Sequence, residues 1–320
     1  MHLLAHPLTP VSPEHVSGLL ALTDLDPVGG LALAHQVSRW TRWGRGDVVV
    51  LGRPARPKGA AWATGSLMPF GLAPRPELGH DGADRGQIRS LASHARARLT
   101  RQGSVSGPAQ DVEAVWPELS ALGQTAREER WVQPLLAAPF PAGGLTDGAV
   151  RARPEVRWAA EGLRAARVEE TGLVLPASVA MFVGELGYDP TTAGGSYARH
   201  VEGLVATGRS YVLLDDGTGR PPMPGGPAQV AFKADVGALR RGEGGRSGAA
   251  QLTGVWTRDD LRGRGVATAA LAATVDRVRA EHLGPDGIVS LYVNDFNTPA
   301  LGLYVGLGFD RVGTYATILL

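Results

Sequence analysis

The most constraining feature of this chain is a glycine-containing turn that joins a strand pattern to a helix pattern. The apolar, alternating run from Ala250 to Thr257 predicts a strand, and the turn Arg262-Gly263-Arg264-Gly265-Val266-Ala267 follows it. The amphipathic helix after the turn is predicted from residues spaced four, four, three and four apart: Ala267, Leu271, Val275, Val278 and His282. Because a helix N-terminus presents unpaired N–H groups and a partial positive charge, the turn predicts a phosphate-binding site.

The residues of the turn suit a pyrophosphate group. Gly265 lets the backbone approach a ligand closely, and Ala267 keeps the first helical turn uncrowded. Arg262 and Arg264 can add charge-assisted hydrogen bonds to phosphate oxygens. We therefore expect the whole turn, including Gly263 and Val266, to bind a pyrophosphate.

A dinucleotide-binding fingerprint is the alternative interpretation of this turn. The run Gly263, Gly265 and Thr268 lacks the third glycine of that fingerprint. The fingerprint also belongs to a first parallel β-α-β unit, whereas the strand before this turn closes a predicted antiparallel run. The next acidic residues, Asp276 and Glu281, fall within the helix and not at a strand end. This context excludes the dinucleotide interpretation.

A second pattern follows the turn along the chain. It reads Leu291-x-Val293-x-x-x-Asn297-x-x-Ala300-x-x-x-Tyr304 and continues with Gly308-Phe309. Together with Arg-x-x-Gly-x-Ala at residues 262–267, it resembles the GNAT superfamily of acetyl-CoA-dependent N-acyltransferases. The match is closer still to a bacterial branch with an N-terminal domain of unknown function. The stretches that carry this closer match include Gly187-Tyr188-Asp189-Pro190, Gly208-Arg209-Ser210-Tyr211 and Phe232-Lys233-Ala234-Asp235.

The resemblance implies an α/β (α+β) protein with two domains. Residues 149–320 are expected to form a catalytic GNAT fold with a mixed, mostly antiparallel sheet. Residues 1–148 are expected to form a degenerate, non-catalytic GNAT-like domain, with the boundary after the Pro- and Gly-rich run 139–144. The N-terminal half lacks both patterns, and its nearest analogue, residues 82–86, places Asp84 where a phosphate would sit.

The resemblance also implies a mechanism of direct acyl transfer from acetyl-CoA to an amine. The fourth and fifth strands of the domain should separate after Val255, Trp256 and Thr257, whose backbone groups would then pair with the pantetheine arm. The N–H of Val255 would stabilise the oxyanion. Asn297 and Ala300 would contact the cofactor, and Tyr304 would act as general acid toward the departing thiolate.

The general base is left open, because the strand from Ala250 to Trp256 contains no acidic residue. Glu185, Asp189 and Asp235 are the candidates, and a chain of water molecules is the fourth possibility. His200 is ambiguous, since a histidine in a helix beside Val201 is also a normal packing residue. A non-catalytic acyl-CoA sensor or scaffold is therefore the alternative function.

The amino-acid composition limits the other classes of function that the protein could have. The chain has 320 residues, a net charge of +1, no cysteine and only two lysines, Lys58 and Lys233, beside thirty arginines. The absence of cysteine excludes disulfides and a cysteine acyl-enzyme, and the near-zero net charge gives no field for nucleic acid. No metal-ligand spacing and no membrane-spanning run are present, so we predict no metal, no membrane and a cytoplasmic location. The acceptor is expected to be a small-molecule or peptide amine, and the protein a monomer or homodimer.

Overall fold

The computed structural model of the protein describes residues 8–39, 44, 46–192, 194–242 and 247–320. Its strands are β1 (Leu8–Pro10), β2 (Val48–Arg53), β3 (Arg56–Thr64), β4 (Ser66–Phe70), β5 (Ser104–Pro108), β6 (Glu128–Ala137), β7 (Arg164–Ala165), β8 (Ser210–Asp215), β9 (Gln229–Arg240), β10 (Ala249–Thr257), β11 (Ile288–Tyr292) and β12 (Asp310–Leu319). Its α-helices are α1 (Val16–Thr23), α2 (Leu31–Arg39), α3 (Arg85–Arg96), α4 (Ala109–Ala121), α5 (Leu145–Ala152), α6 (Arg157–Gly162), α7 (Thr171–Leu186), α8 (Ser196–Ala206), α9 (Val266–Val278) and α10 (Thr298–Gly306).

The chain divides into two compact units. Unit 1 consists of Met1–Leu136, Tyr292–Asn297 and Arg311–Leu320, and unit 2 of Ala137–Leu291 and Thr298–Asp310. The predicted domain boundary between residues 148 and 149 stays a prediction.

The sheet of unit 1 begins with four antiparallel strands and also includes β12, which comes much later in the sequence. β1, β2, β3 and β4 pair in that order, and β4 then pairs with β5 in parallel. β12 pairs antiparallel with β5, from Tyr315 opposite Pro108 to Leu319 opposite Ser104. Ala316 and Ile318 of β12 are fully buried in the same core as Leu91 of α3. The final strand is therefore part of the core of unit 1.

Unit 2 repeats this strand order around the predicted turn. β7, β8, β9 and β10 pair antiparallel, and β10 then pairs in parallel with β11. α7 packs on β9 and β10 beside α8, and α9 packs with α5 and α6. The sheet is mixed and mostly antiparallel, as the sequence predicts, because three antiparallel pairings precede the parallel pairing of β10 with β11, which are joined through α9.

Some local boundaries differ from the sequence expectation. The run from Ala60 to Leu67 predicts one strand, but the structure turns at Gly65, whose φ is +71°, so the run is divided between β3 and β4. The helix predicted to begin at Pro176 begins at Thr171 instead. Proline favours the first helical turn, and this preference placed the expected start too late along the chain.

Candidate active site

The first feature of the candidate site is a bulge in β10. Thr253 lies opposite Asp235 of β9, but Trp256 lies opposite Lys233, so β10 holds one more residue than β9 over this interval. Gly254 sits within the bulge with a φ of +57°, a conformation that favours glycine. Such a bulge bends its strand and re-aims the backbone groups beside it.

β10 and β11 separate at this bulge. Their parallel pairing runs from Ala249 opposite Ile288 to Leu252 opposite Leu291, while β10 continues to Thr257. The sequence expectation placed the separation after Val255 to Thr257, so the strands part three residues earlier than expected. The extra residue of the bulge explains the difference, because it turns the backbone out of register with a straight neighbour. The backbone from residue 253 to residue 257 is thus left beside the opening between the strands.

The predicted turn lies between the end of β10 and the start of α9. Gly263 has a φ of +72°, and Gly265, the N-cap of α9, has a φ of +80°. The first backbone hydrogen bond from the helix to the turn runs from the N–H of Ala269 to the carbonyl of Gly265. The N–H groups of Val266 and Ala267 precede it, and such N–H groups have no acceptor within the helix. They form the expected anion-binding end of α9.

Two arginines, Arg258 and Arg262, form ion pairs and hydrogen bonds between the end of β10 and the turn. Arg258 forms a two-pronged ion pair with Asp215, at 2.6 and 2.7 Å, and contacts Asp260 at 2.7 Å. Hydrogen bonding to these carboxylates raises the pKa of Arg258. Arg262 pairs with Asp259 at 2.7 Å and donates from Nε to the carbonyl of Thr257 at 3.1 Å. The Arg262 guanidinium therefore contacts the turn itself, although the side chains of both Arg262 and Arg264 are exposed.

Arg153 is a basic residue at the turn that sequence reasoning missed. A Cβ built on Gly265 would lie 2.8 Å from Nη1 of Arg153 and 2.9 Å from its Cδ. The arginine side chain thus lies directly over the glycine at the helix N-terminus. Arg153 lies near the start of the predicted catalytic domain, more than one hundred residues before Gly265, so only the fold reveals its position.

Tyr304 of α10 is almost completely buried, with 6% of its surface exposed. Its ring lies 5.8 Å from the ring of Phe309, and its hydroxyl makes no hydrogen bond with any described residue. Burial, with a smaller contribution from the charge of Glu185, raises the pKa of the phenol. The hydroxyl is therefore protonated at neutral pH and available to a ligand as a hydrogen-bond donor.

The three candidate bases have different surroundings. Asp235 is 6% exposed and is bound on both oxygens, by Lys233 Nζ at 2.5 Å and by Ser210 Oγ at 2.7 Å. Asp189 accepts hydrogen bonds from the N–H and the hydroxyl of Thr191, at 2.8 and 2.6 Å, which lower its pKa. Asp235 is thus an ion-pair partner and Asp189 closes a turn.

Glu185 is the candidate base whose charge acts on the predicted general acid. It lies on α7 with an exposed side chain, and its charge raises the pKa of both Tyr304 and Tyr197. For each tyrosine, burial is the larger cause. Glu185 therefore lies close enough to Tyr304 for its charge to affect the pKa of the phenol.

An aromatic cluster lies beside Glu185 on α7 and α8. The ring of Phe182 meets Tyr188 edge-on at 5.3 Å and Tyr197 at 5.1 Å. Tyr197 also lies 6.5 Å from the ring of His200 and donates its hydroxyl to the carbonyl of Ser178 at 2.9 Å. His200, left ambiguous by the sequence, is thus an exposed neighbour of this cluster.

The remaining predicted cofactor contacts lie after β11. The N–H of Asn297 donates to the carbonyl of Asn294 at 3.0 Å, which closes a turn before α10. Ala300 lies in the first turn of α10, the helix that carries Tyr304. Asn297 belongs to unit 1, whereas Ala300 and Tyr304 belong to unit 2.

The corresponding region of unit 1 is occupied by its own side chains. Asp111 is completely buried and accepts hydrogen bonds from the N–H groups of Gly71 and Ala73, which directly follow β4. Arg75 closes over the same carboxylate at 2.7 Å. Asp84 caps α3 by accepting from the N–H of Gln87 at 2.9 Å. Two aspartates of unit 1 therefore accept backbone donors in this region, Asp111 after the strand and Asp84 at the helix end.

The described residues contain no candidate metal cluster and no candidate membrane-spanning helix. No group of three or more His, Cys, Asp and Glu side chains in this part of the chain could hold a metal ion. Among the same residues, every helix is too short or too polar to cross a membrane.

Family models match both halves of the chain. Residues 230–309 match the acetyltransferase (GNAT) family, and residues 46–162 match a domain of unknown function, DUF4081. The C-terminal half thus carries a GNAT acetyltransferase domain, as the resemblance predicted. No curated protein matches the chain significantly.

Solved structures extend the likeness to the whole fold. A GNAT-family acetyltransferase from Colwellia psychrerythraea is 11% identical, with a TM-score of 0.52, and the match covers 98% of this chain and 99% of that chain. A tandem GNAT protein from the clavulanic acid biosynthesis pathway is 16% identical, with a TM-score of 0.51 and 97% of each chain covered. A Drosophila protein is 13% identical, with a TM-score of 0.56 and 99% of each chain covered. The predicted fold class, two GNAT-like domains in tandem, is confirmed.

Proposed function

We propose that the protein is an N-acetyltransferase that transfers the acetyl group of acetyl-CoA to an amine by direct attack in a ternary complex. The GNAT family of residues 230–309 supports acyl transfer. The observation that carries the finer proposal is the separation of β10 from β11 next to the N-terminus of α9. This separation leaves backbone groups of β10 unpaired with β11, next to the anion-binding end of α9. Acetyl-CoA carries amides that can pair with such backbone groups and a pyrophosphate that can bind such a helix end.

The residues fit acetyl-CoA as a substrate. The N–H groups from Gly263 to Ala267 and the guanidinium groups of Arg264 and Arg153 would bind the pyrophosphate. The backbone from Val255 to Thr257, with Trp256 between them, would pair with the pantetheine amides. Asn297 and Ala300 would contact the arm further along. No metal ion takes part in this proposal.

Acyl transfer then requires one bond to form and one to break. The amine nitrogen attacks the thioester carbon, the N–H of Val255 stabilises the oxyanion, and the C–S bond breaks to release CoA. Tyr304 donates to the departing sulfur as general acid. Because the raised pKa of this phenol weakens it as an acid, its main contribution is a strong hydrogen bond to the developing thiolate.

Glu185 is our proposed general base, and it accepts the proton that the amine loses. Asp235 is the weaker candidate, because Lys233 and Ser210 already engage both of its oxygens. A negative charge at Glu185 also favours a positively charged acceptor near the aromatic cluster of α7 and α8. We expect a small-molecule or peptide amine acceptor and a cytoplasmic protein that acts as a monomer or homodimer.

Thiol release tests this function directly. The protein is incubated with acetyl-CoA, propionyl-CoA or succinyl-CoA and a panel of amines, and free CoA is measured over time. We expect turnover with acetyl-CoA and at least one amine class. Tight acetyl-CoA binding without turnover for any amine would support the sensor instead, for which the absence of an acid on β10 is the favouring observation.

We predict one acetyl-CoA site per chain. The Asp111 carboxylate already binds the N–H groups of Gly71 and Ala73, and Asp84 accepts from Gln87 and places a negative charge at the N-terminus of α3, which disfavours a second anion there. Isothermal titration calorimetry should give one equivalent bound per chain. Two equivalents of equal affinity would contradict the prediction.

Arg153 gives a second binding prediction. Arg153→Ala should raise the Kd for acetyl-CoA about fivefold, because it removes a positive charge beside the helix end where the pyrophosphate binds. The matched control is Arg151→Ala, which removes an equally exposed arginine from α5 and should leave the Kd unchanged. Equal effects of the two substitutions would show that only net charge matters.

A further inference from the structure

Lys233 is buried in a chain that otherwise uses arginine. Its side chain is 0% exposed, whereas Lys58, the other lysine, is exposed. A buried ammonium loses its hydration and persists only with close partners. With thirty arginines in the chain, a lysine at this position indicates that a compact ammonium is required there and a planar guanidinium is not suitable.

The partners of Lys233 connect it to the bulge in β10. Nζ contacts Oδ2 of Asp235 at 2.5 Å and donates to the carbonyl of Gly254 at 3.3 Å. The other oxygen of Asp235 accepts from the hydroxyl of Ser210 at 2.7 Å. Asp235 therefore balances the charge of Lys233 and fixes its position, while Lys233 holds one backbone carbonyl.

The hydrogen bond to Gly254 determines the direction of the next N–H. A peptide group is planar and trans, so the carbonyl of Gly254 and the N–H of Val255 point in opposite directions. No described peptide bond is cis. With the carbonyl held toward Lys233, the N–H of Val255 must point away from Lys233.

The space around Gly254 supports the same arrangement. A Cβ at this position would lie 3.1 Å from Oδ2 of Asp235, 3.1 Å from Cε of Met181 and 3.2 Å from Nζ of Lys233. Side chains thus crowd one side of Gly254, and the φ of +57° is one that glycine adopts without strain. The Lys233–Asp235 ion pair and Met181 thus fill the space next to Gly254 on the side where its Cβ would lie.

We propose that Lys233 is a positioning residue for acyl transfer. Its ammonium holds the Gly254 carbonyl so that the N–H of Val255 is fixed toward the carbonyl oxygen of the bound thioester. Asp235 and Ser210 keep the ammonium in place, which gives Asp235 a role other than that of general base. This inference rests on the proposed function and explains how its oxyanion donor is oriented.

The test variant removes the ion pair as a unit. Lys233→Met alone would leave a buried carboxylate without its counter-ion and could unfold the protein. Lys233→Met combined with Asp235→Asn removes both charges, keeps both volumes and leaves an acceptor for Ser210. Asp235→Asn alone serves as a second, milder variant, and Lys58→Met is the control at the exposed lysine. Circular dichroism and thermal unfolding establish that each variant is folded.

Infrared spectroscopy of bound acetyl-CoA, labelled with carbon-13 at the thioester carbonyl, gives a readout that a purely structural role would not change. In the wild type we expect the carbonyl band to shift to lower frequency than in solution, because the Val255 N–H polarises the bond. In the double variant the band should return toward its solution position, and kcat should fall about 10- to 100-fold, while the Kd for acetyl-CoA stays within about twofold. Asp235→Asn should give an intermediate band, and Lys58→Met the wild-type band.

The possible outcomes separate the inference from the proposed function. If the wild type does not bind acetyl-CoA, the proposed function fails and the inference fails with it. If the wild type binds and the folded double variant keeps the wild-type band and kcat, only the inference is overturned. Should the double variant fail to fold, an Asp235→Asn band equal to that of the wild type overturns it in the same way.

Discussion

Tyr304→Phe is expected to lower kcat about 100-fold and to leave the Kd for acetyl-CoA within about twofold. The substitution removes only the hydroxyl, and that hydroxyl has no partner among the described residues that could lose a hydrogen bond. The phenyl ring keeps its contact with Phe309, so the core around α10 should be preserved. Steady-state kinetics and equilibrium binding, measured on the same preparation, test the prediction.

The pH profile adds a second test of Tyr304. Burial raises the pKa of this phenol, so the hydroxyl stays protonated as the pH passes its ordinary value of about 10. The wild type should therefore show no loss of kcat from ionisation of Tyr304 between about pH 8 and 10. Tyr315→Phe is the matched control, since Tyr315 is also buried but stacks on Tyr292 in unit 1. If both substitutions lower kcat equally, Tyr304 has no special role.

Deletion of residues 310–320 is expected to abolish folding of unit 1. β12 contributes its pairing with β5 and the buried side chains of Tyr315, Ala316 and Ile318. Burial of one large apolar side chain stabilises a protein by about 1.5–3 kcal/mol, and the total stability of a domain is only about 5–15 kcal/mol. Thermal unfolding followed by circular dichroism should show no cooperative transition of unit 1 in the truncated chain.

Two controls distinguish the loss of the β12 pairing from other effects of changing the end of this segment. Arg311→Ala changes an exposed residue at the start of β12 and should leave the melting temperature unchanged. A peptide of residues 310–320, added to the truncated chain, should restore part of the transition if pairing with β5 is the cause. A truncated chain that unfolds cooperatively at the wild-type temperature would contradict the prediction.

The elements around the phosphate-binding turn could be predicted from the sequence because they depend on local signals. The alternation of residues 250–257, the apolar stripe of α9 and the start of α10 at Thr298 each follow from periodicity or capping chemistry. The same local patterns indicated the position of Tyr304 on its helix. The same residues carry the family resemblance, so the local patterns and the resemblance predicted the same elements there.

Other features depend on partners that are distant along the chain. The role of Lys233 depends on Gly254 and Ser210, neither of which forms a pattern with it in the sequence. Arg153 reaches Gly265 from more than one hundred residues away, and the loss of free N–H groups after β4 depends on Asp111. Only the fold brings these groups together, which is why sequence reasoning left Asp235 among the candidate bases and did not identify Arg153.

The place of β12 in unit 1 has a consequence for the synthesis of the protein. The sheet of unit 1 includes residues 311–320, which are synthesised about 200 residues after β5. At a translation rate of roughly 10 residues per second, the edge of β5 waits for about 20 s before its partner strand exists. An unpaired edge strand is a site of aggregation, so we expect the nascent chain to depend on chaperones during this interval. Unit 1 therefore completes its sheet only after the whole of unit 2 has been synthesised.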